Sequence, residues 1–126
     1  MNILVPLGRF FYSLLFIMAS LGHFSKETID YAGAAGVPFP AFLVPLSGVM
    51  ALLGGLSILL GYKARLGAWL LILFLIPVTF MMHQFWTVTN PEFAMIDQIM
   101  FMKNLSLLGA ALLITHFGSG PYSIKK

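Results

Sequence analysis

The chain has 126 residues, of which 60% are hydrophobic and only 9% charged, with a mean hydropathy of +0.95. A soluble domain carries about a quarter charged residues, so this much apolar side chain points to an integral membrane protein with room for a single bundle. The net charge of +3 comes from seven scattered Lys and Arg, which disfavours a nucleic-acid partner and reads as a topology signal, and the lack of cysteine excludes disulfide exchange, thiolate nucleophiles, Cys-ligated iron–sulfur clusters and attached c-type haem within this chain.

The start, MNILVPLGRFF, lacks the charged leader region and small-residue cleavage site of a secretory signal, so the first apolar segment is expected to stay as an anchor. Helix one is expected at about 3–21, with Pro6 tolerated in its first turn and Arg9 roughly two turns in. Gly22, Gly33, Gly36, Pro38 and Pro40 then punctuate a polar loop holding His23, Lys26, Glu27, Asp30 and Tyr31. Helical potential returns there around 26–35. Helix two is expected at about 42–60, followed by a GYKAR turn, and helix three at about 67–85. Pro77 in its middle withdraws a backbone donor from the carbonyl of Leu73, so a kink is expected. His83-Gln84-Phe85-Trp86 lead into a loop with Asn90, Pro91, Glu92 and Asp97. Helix four is expected at about 98–117. The fold class is therefore all-α, a four-helix transmembrane bundle in the lipid bilayer, in one domain without internal repeat or linker.

Four spans place both termini on one side, together with Arg9, Lys63, Arg65 and the Lys125-Lys126 tail. The other side holds all four acids, Glu27, Asp30, Glu92 and Asp97, with only Lys26 and Lys103. This bias predicts cytoplasmic termini and outer loops between the helix pairs, and Trp69, Tyr62 and Trp86 fall where an interfacial aromatic belt is expected. Close helix approach in lipid relies on small residues. Ser47, Ala51 and Gly55, widened by Gly48 and Gly54, form one such stripe, and Ser106, Gly109 and Ala110 another. Both are expected to be packing seams, and such faces are also where other membrane subunits or a second copy would dock.

Six polar positions are candidates for binding. Arg9 either snorkels to the headgroups or grips an acidic or quinone-like headgroup or a helix carbonyl; no acid is expected at its depth. Lys103, about one turn below the outer surface, either snorkels toward Glu92, Asp97 or Glu27, or faces inward with Asn104. Asn104 shares a helix face with Asp97 and Ala111, and an inward Lys103–Asn104 pair would make a donor-rich floor for an anion or carbonyl oxygen. His83 and Trp86 end helix three on the side where His23 ends helix one, while His116 lies at the opposite end. Two histidines are not a recognisable haem or metal constellation, so no metal site is expected; proton exchange with a ligand stays open. No cofactor is evident, with a quinone the candidate ligand. Self-contained catalysis is not expected, since no acid lies at membrane depth and no nucleophile has a base and orienting partner at a recognisable spacing. Transport is disfavoured by the short chain and the lack of paired broken helices.

Arg9 in helix one, AAGVPFPAFLVPLSG at 34–48, LLGGLSILLGYKAR at 52–65, HQFW at 83–86, and FMKNLSLLGAALL with GSGPYSI near the end recur in an order that resembles the DoxX family of small four-helix bacterial membrane proteins. The resemblance implies a multi-pass protein of the bacterial inner membrane. It also implies a redox setting, since some members are similar to the small subunit of a thiosulfate:quinone oxidoreductase and others are associated with complexes that handle thiol or oxidative stress. The expected role is a non-catalytic or quinone-proximal component of such a complex, with Lys103, Asn104, His83 and Trp86 lining an outer pocket. The alternative is a structural or assembly factor that docks other membrane proteins without ligand chemistry. Two positions depart from the family pattern: Ala51 stands where a helix-two glutamate is common, and His23 where many members have lysine.

Overall fold

The computed structural model describes residues 3–124. Its helices are α1 Leu4–Gly22, α2 Lys26–Ala34, α3 Pro40–Leu60, α4 Ala64–Met82 and α5 Pro91–Phe117, with a 3-10 turn at Phe85–Thr87 before the last. Four of them, α1, α3, α4 and α5, are long and apolar enough to span, so the chain is an all-α multi-pass membrane protein. The Lys125-Lys126 tail lies outside the described residues.

Burial in α1 shows how the bundle is turned inside out relative to a soluble one. Its buried residues are Arg9, Ser13, Phe16 and Ser20, one stripe at helical spacing, while Leu4, Phe11, Met18 and Leu21 are exposed. The two serine hydroxyls donate back to the Arg9 carbonyl at 2.6 Å and the Ile17 carbonyl at 2.7 Å, so neither carries an unmet bond into the interior. Large apolar side chains face lipid, and small or internally bonded ones let backbones approach.

The helices pack in the order α1, α3, α4, α5, and α2 lies against α3. Phe16, Ala51, Ile58, Ala64, Ala68, Leu71, Phe74 and Leu75 make the shared core. The Ser47–Gly55 stripe is the seam expected of it: a Cβ on Gly55 would lie 3.3 Å from the Ser13 carbonyl on α1, and one on Gly54 2.9 Å from the Gly67 carbonyl on α4. The second stripe differs. Ser106 and Gly109 are exposed, and a Cβ on Gly109 would meet nothing within 4 Å. It is not a seam within this chain.

Three helix boundaries moved for local reasons. Helical potential around 26–35 is realised as α2, whose N-cap Ser25 accepts from the Thr28 amide at 3.2 Å. α4 begins within the GYKAR turn, after Gly61 in the left-handed region (φ 67) ends α3, and runs unbroken through Pro77. α5 starts at Pro91, because the Asn90 side chain accepts from the Glu92 amide at 3.0 Å and Pro91 suits the first helical position. Glu92 and Asp97 are thus helical. At 27 residues, α5 is about 40 Å long against a hydrocarbon layer of about 30 Å, so its acidic first turns extend past the apolar zone.

Candidate functional site

A cavity of about 400 Å³ opens beneath α2, between α3 and α4. Its walls are almost entirely apolar, from Ala32, Val44, Met50, Phe74, Pro77 and Val78, and its polar groups are His23, Thr28, Ser47 and His83. Volume, apolar lining and a few placed polar groups are the attributes of a small-molecule site.

His23 is held from both sides. Its ring lies 5.4 Å from that of Phe74, and Nδ1 is 2.8 Å from Ser47 Oγ. The Ser47 hydroxyl donates its one proton to the Val44 carbonyl at 2.6 Å, so Oγ must accept from Nδ1–H. That fixes the neutral tautomer and leaves Nε2 as an acceptor. The place exists because residue 48 is glycine: a Cβ there would lie 2.7 Å from His23 Cβ. Burial holds the imidazole below its ordinary value, with the Val44 carbonyl partly opposing.

His83 ends α4 and turns Nδ1 toward Asp97 Oδ1 at 3.4 Å, with both side chains 23% exposed. The two histidines that sequence position allowed to meet thus line one cavity. The other candidates lie elsewhere. Trp86 is exposed and stacks edge-on with Phe85 and Phe101. Lys103 is exposed on α5, and its Nζ reaches one turn back to Met100 Sδ at 3.5 Å rather than to an acid, as a snorkelling side chain does. Asn104 is buried at 6% exposure. Consecutive residues are about 100° apart on a helix, so an inward Asn104 turns Lys103 outward, and the two form no common floor.

Arg9 is buried, and its fork closes on the segment after α5. Nη1 donates to the Ser119 carbonyl at 2.8 Å and to Ser123 Oγ at 3.0 Å, and Nη2 to the Tyr122 carbonyl at 2.8 Å. Ser123 Oγ also bonds Ser119 Oγ and the Gly120 carbonyl. A Cβ on Gly61 would lie 2.6 Å from Nη1, so that glycine leaves room for the latch as well as turning the chain. Arg9 therefore neither snorkels nor needs the helix-two carboxylate for its bonds; Ala51 is fully buried in the core. Nearby, Arg65 Nη2 donates to the His116 carbonyl at 3.1 Å. Deeper in the bundle Tyr12 OH ties α1 to α5 through the Leu107 carbonyl at 2.7 Å.

The DoxX family model matches residues 4–84. The chain is similar to inner membrane protein YqjF of Escherichia coli (strain K12), 34% identical over 125 residues that cover 97% of this chain and 89% of that protein. It is also similar to inner membrane protein YphA of the same organism, 29% identical over 99 residues, 79% of this chain and 70% of that one. No solved structure gives a significant match. A family match over most of the four-span fold, and a relative aligned along nearly its whole length, place this chain in the DoxX family.

Proposed function

We propose that this protein sits in the bacterial inner membrane and binds a small membrane-soluble ligand of quinone type, as a non-catalytic, quinone-proximal component of a complex handling sulfur, thiol or oxidative-stress redox chemistry. The observation that carries the reading is the apolar cavity of about 400 Å³ flanked by His23 and His83. Its walls suit a ring and short chain. The free Nε2 of His23 accepts a ligand hydroxyl, so the reduced, quinol form is the better fit while that ring is neutral. Inner-membrane placement is supported by the two relatives' names, and cytoplasmic termini by Lys63 and Arg65 at the end opposite all four acids. Cysteines at Thr89 and Lys63, both exposed, then label from opposite faces, Thr89 from the periplasm.

The deciding experiment is equilibrium binding of a short-chain quinol to the purified protein in nanodiscs. Saturable binding is expected in wild type, lost in Val78→Phe, which fills the cavity, and weakened in His23→Ala. A wild-type protein with no saturable binding, or a folded Val78→Phe variant that binds as wild type does, overturns the reading.

One observation favours the second reading, a docking role for other membrane proteins. The exposed Ser106–Gly109 face of α5 lacks a helix partner among the described residues. Gly109→Leu would then disrupt a co-purifying complex while leaving the cavity's ligand binding intact, whereas changes at Ser47 or Gly55 would only unpack the protein itself.

A further inference from the structure

The outer helices of the row, α1 and α5, leave a cleft of about 300 Å³ between them, which shares no lining residue with the histidine cavity. Val5, Gly8, Tyr12, Leu113 and Ile114 make it apolar, and Arg9 is its one charged lining residue. Arg9 is 7% exposed. Its three hydrogen bonds go to two carbonyls and a hydroxyl, none of them an anion. The four acids of the chain are on α2 and in the first turns of α5, at the opposite end of the bundle. Among the described residues the guanidinium therefore has no counter-ion.

Its donors are also not all used. Nε is buried without a partner, and of the two hydrogens on Nη2 one is committed to Tyr122. Nε and Nη2 share the edge by which arginine takes a carboxylate or phosphate with two parallel bonds. A buried cation without an anion among the described residues, with donors left unused, beside an apolar cleft in a membrane helix, is suited to an amphiphile that brings both. Lys63 and Arg65 at the same end add to the attraction for a negative headgroup.

We propose that the α1–α5 cleft holds one anionic phospholipid of the adjoining leaflet, its phosphate oxygens on the Nε and Nη2 edge of Arg9 and an acyl chain against the apolar walls. Charge complementarity selects an anionic headgroup, and the walls select a lipid over a free anion. This site is independent of the histidine cavity.

Native mass spectrometry of protein released from mixed phosphatidylglycerol and phosphatidylcholine bilayers tests it. One phosphatidylglycerol is expected to stay bound where phosphatidylcholine is lost, and excess inorganic phosphate should not displace it. Ala110→Trp fills the cleft while keeping Arg9 and its latch, and should cut retention about tenfold, as should Arg9→Gln. Leu113→Trp serves if Ala110→Trp does not fold. Equal retention of the two lipids, displacement by phosphate, or unchanged retention in a folded cleft-filled variant would overturn the proposal.

Discussion

Gly54 and Gly67 face each other across the α3–α4 seam so closely that neither tolerates a side chain. A Cβ on Gly54 would lie 2.9 Å from the Gly67 carbonyl, and one on Gly67 3.1 Å from the Gly54 carbonyl and 2.5 Å from Ser57 Oγ. Gly54→Ala has to push two backbones apart, so a loss of roughly 1–3 kcal/mol is expected in reversible unfolding in detergent. Gly109→Ala, on the open face of α5, should instead gain about 0.5–1 kcal/mol from helix propensity alone. Equal effects at the two positions would refute the seam assignment.

The latch makes a second prediction. Arg9→Met removes three hydrogen bonds from one charged donor, and a loss of about 2–3 kcal/mol is expected, with faster amide exchange confined to the segment after α5. Arg9→Lys should recover only part of this, because an ammonium cannot reproduce a planar fork. Exchange that stays slow in Arg9→Met would show that the segment is held by other contacts.

Much of this architecture was legible in the hydropathy: four long apolar runs, the stripe of small residues on α3, and the grouping of acids at one end. What escaped has identifiable causes. Asn90-Pro91 is a helix start, yet Glu92 and Asp97 gave the following turns the polarity of a loop, because α5 outruns the hydrocarbon layer. Lys103 and Asn104 are neighbours in sequence and therefore point different ways on a helix. Ser47 read only as a small residue, though its hydroxyl sets the His23 tautomer. The partners of Arg9 lie more than a hundred positions away, in GSGPYS, whose composition signals a turn but not what the turn would hold.

A third prediction concerns pH. Burial holds His23 below its ordinary value, so the unfolded chain binds the proton more readily than the folded one. Its contribution is complete above about pH 6.5 and is lost as pH falls below that. The midpoint of thermal unfolding should drop between about pH 7.5 and pH 5, and His23→Gln should flatten the change. His83 lines the same cavity and faces Asp97, so the comparison belongs in a His83→Gln background. An undiminished pH dependence in His23→Gln would place its origin elsewhere.

Asn104 supplies a fourth. Its side chain is buried, and none of the side-chain hydrogen bonds among the described residues involves it. A largely buried amide that makes no side-chain bond to the described residues gains nothing to offset its desolvation, so Asn104→Leu should be neutral or stabilising by about 1 kcal/mol. A clear loss of stability would mean that the amide holds something the fold requires, and would move Asn104 back among the binding residues.

The latch also constrains how the protein can be made. Arg9 belongs to the first span, and the residues that receive it follow the fourth, so during synthesis the guanidinium is in the membrane before any of its final partners exists. Until then its charge has to be met by water or by lipid phosphates drawn to it. Closure of the bundle around Arg9 is consequently a late, post-insertion event. A ribosome-stalled chain ending at Phe117 would have all four helices and an unfinished interior.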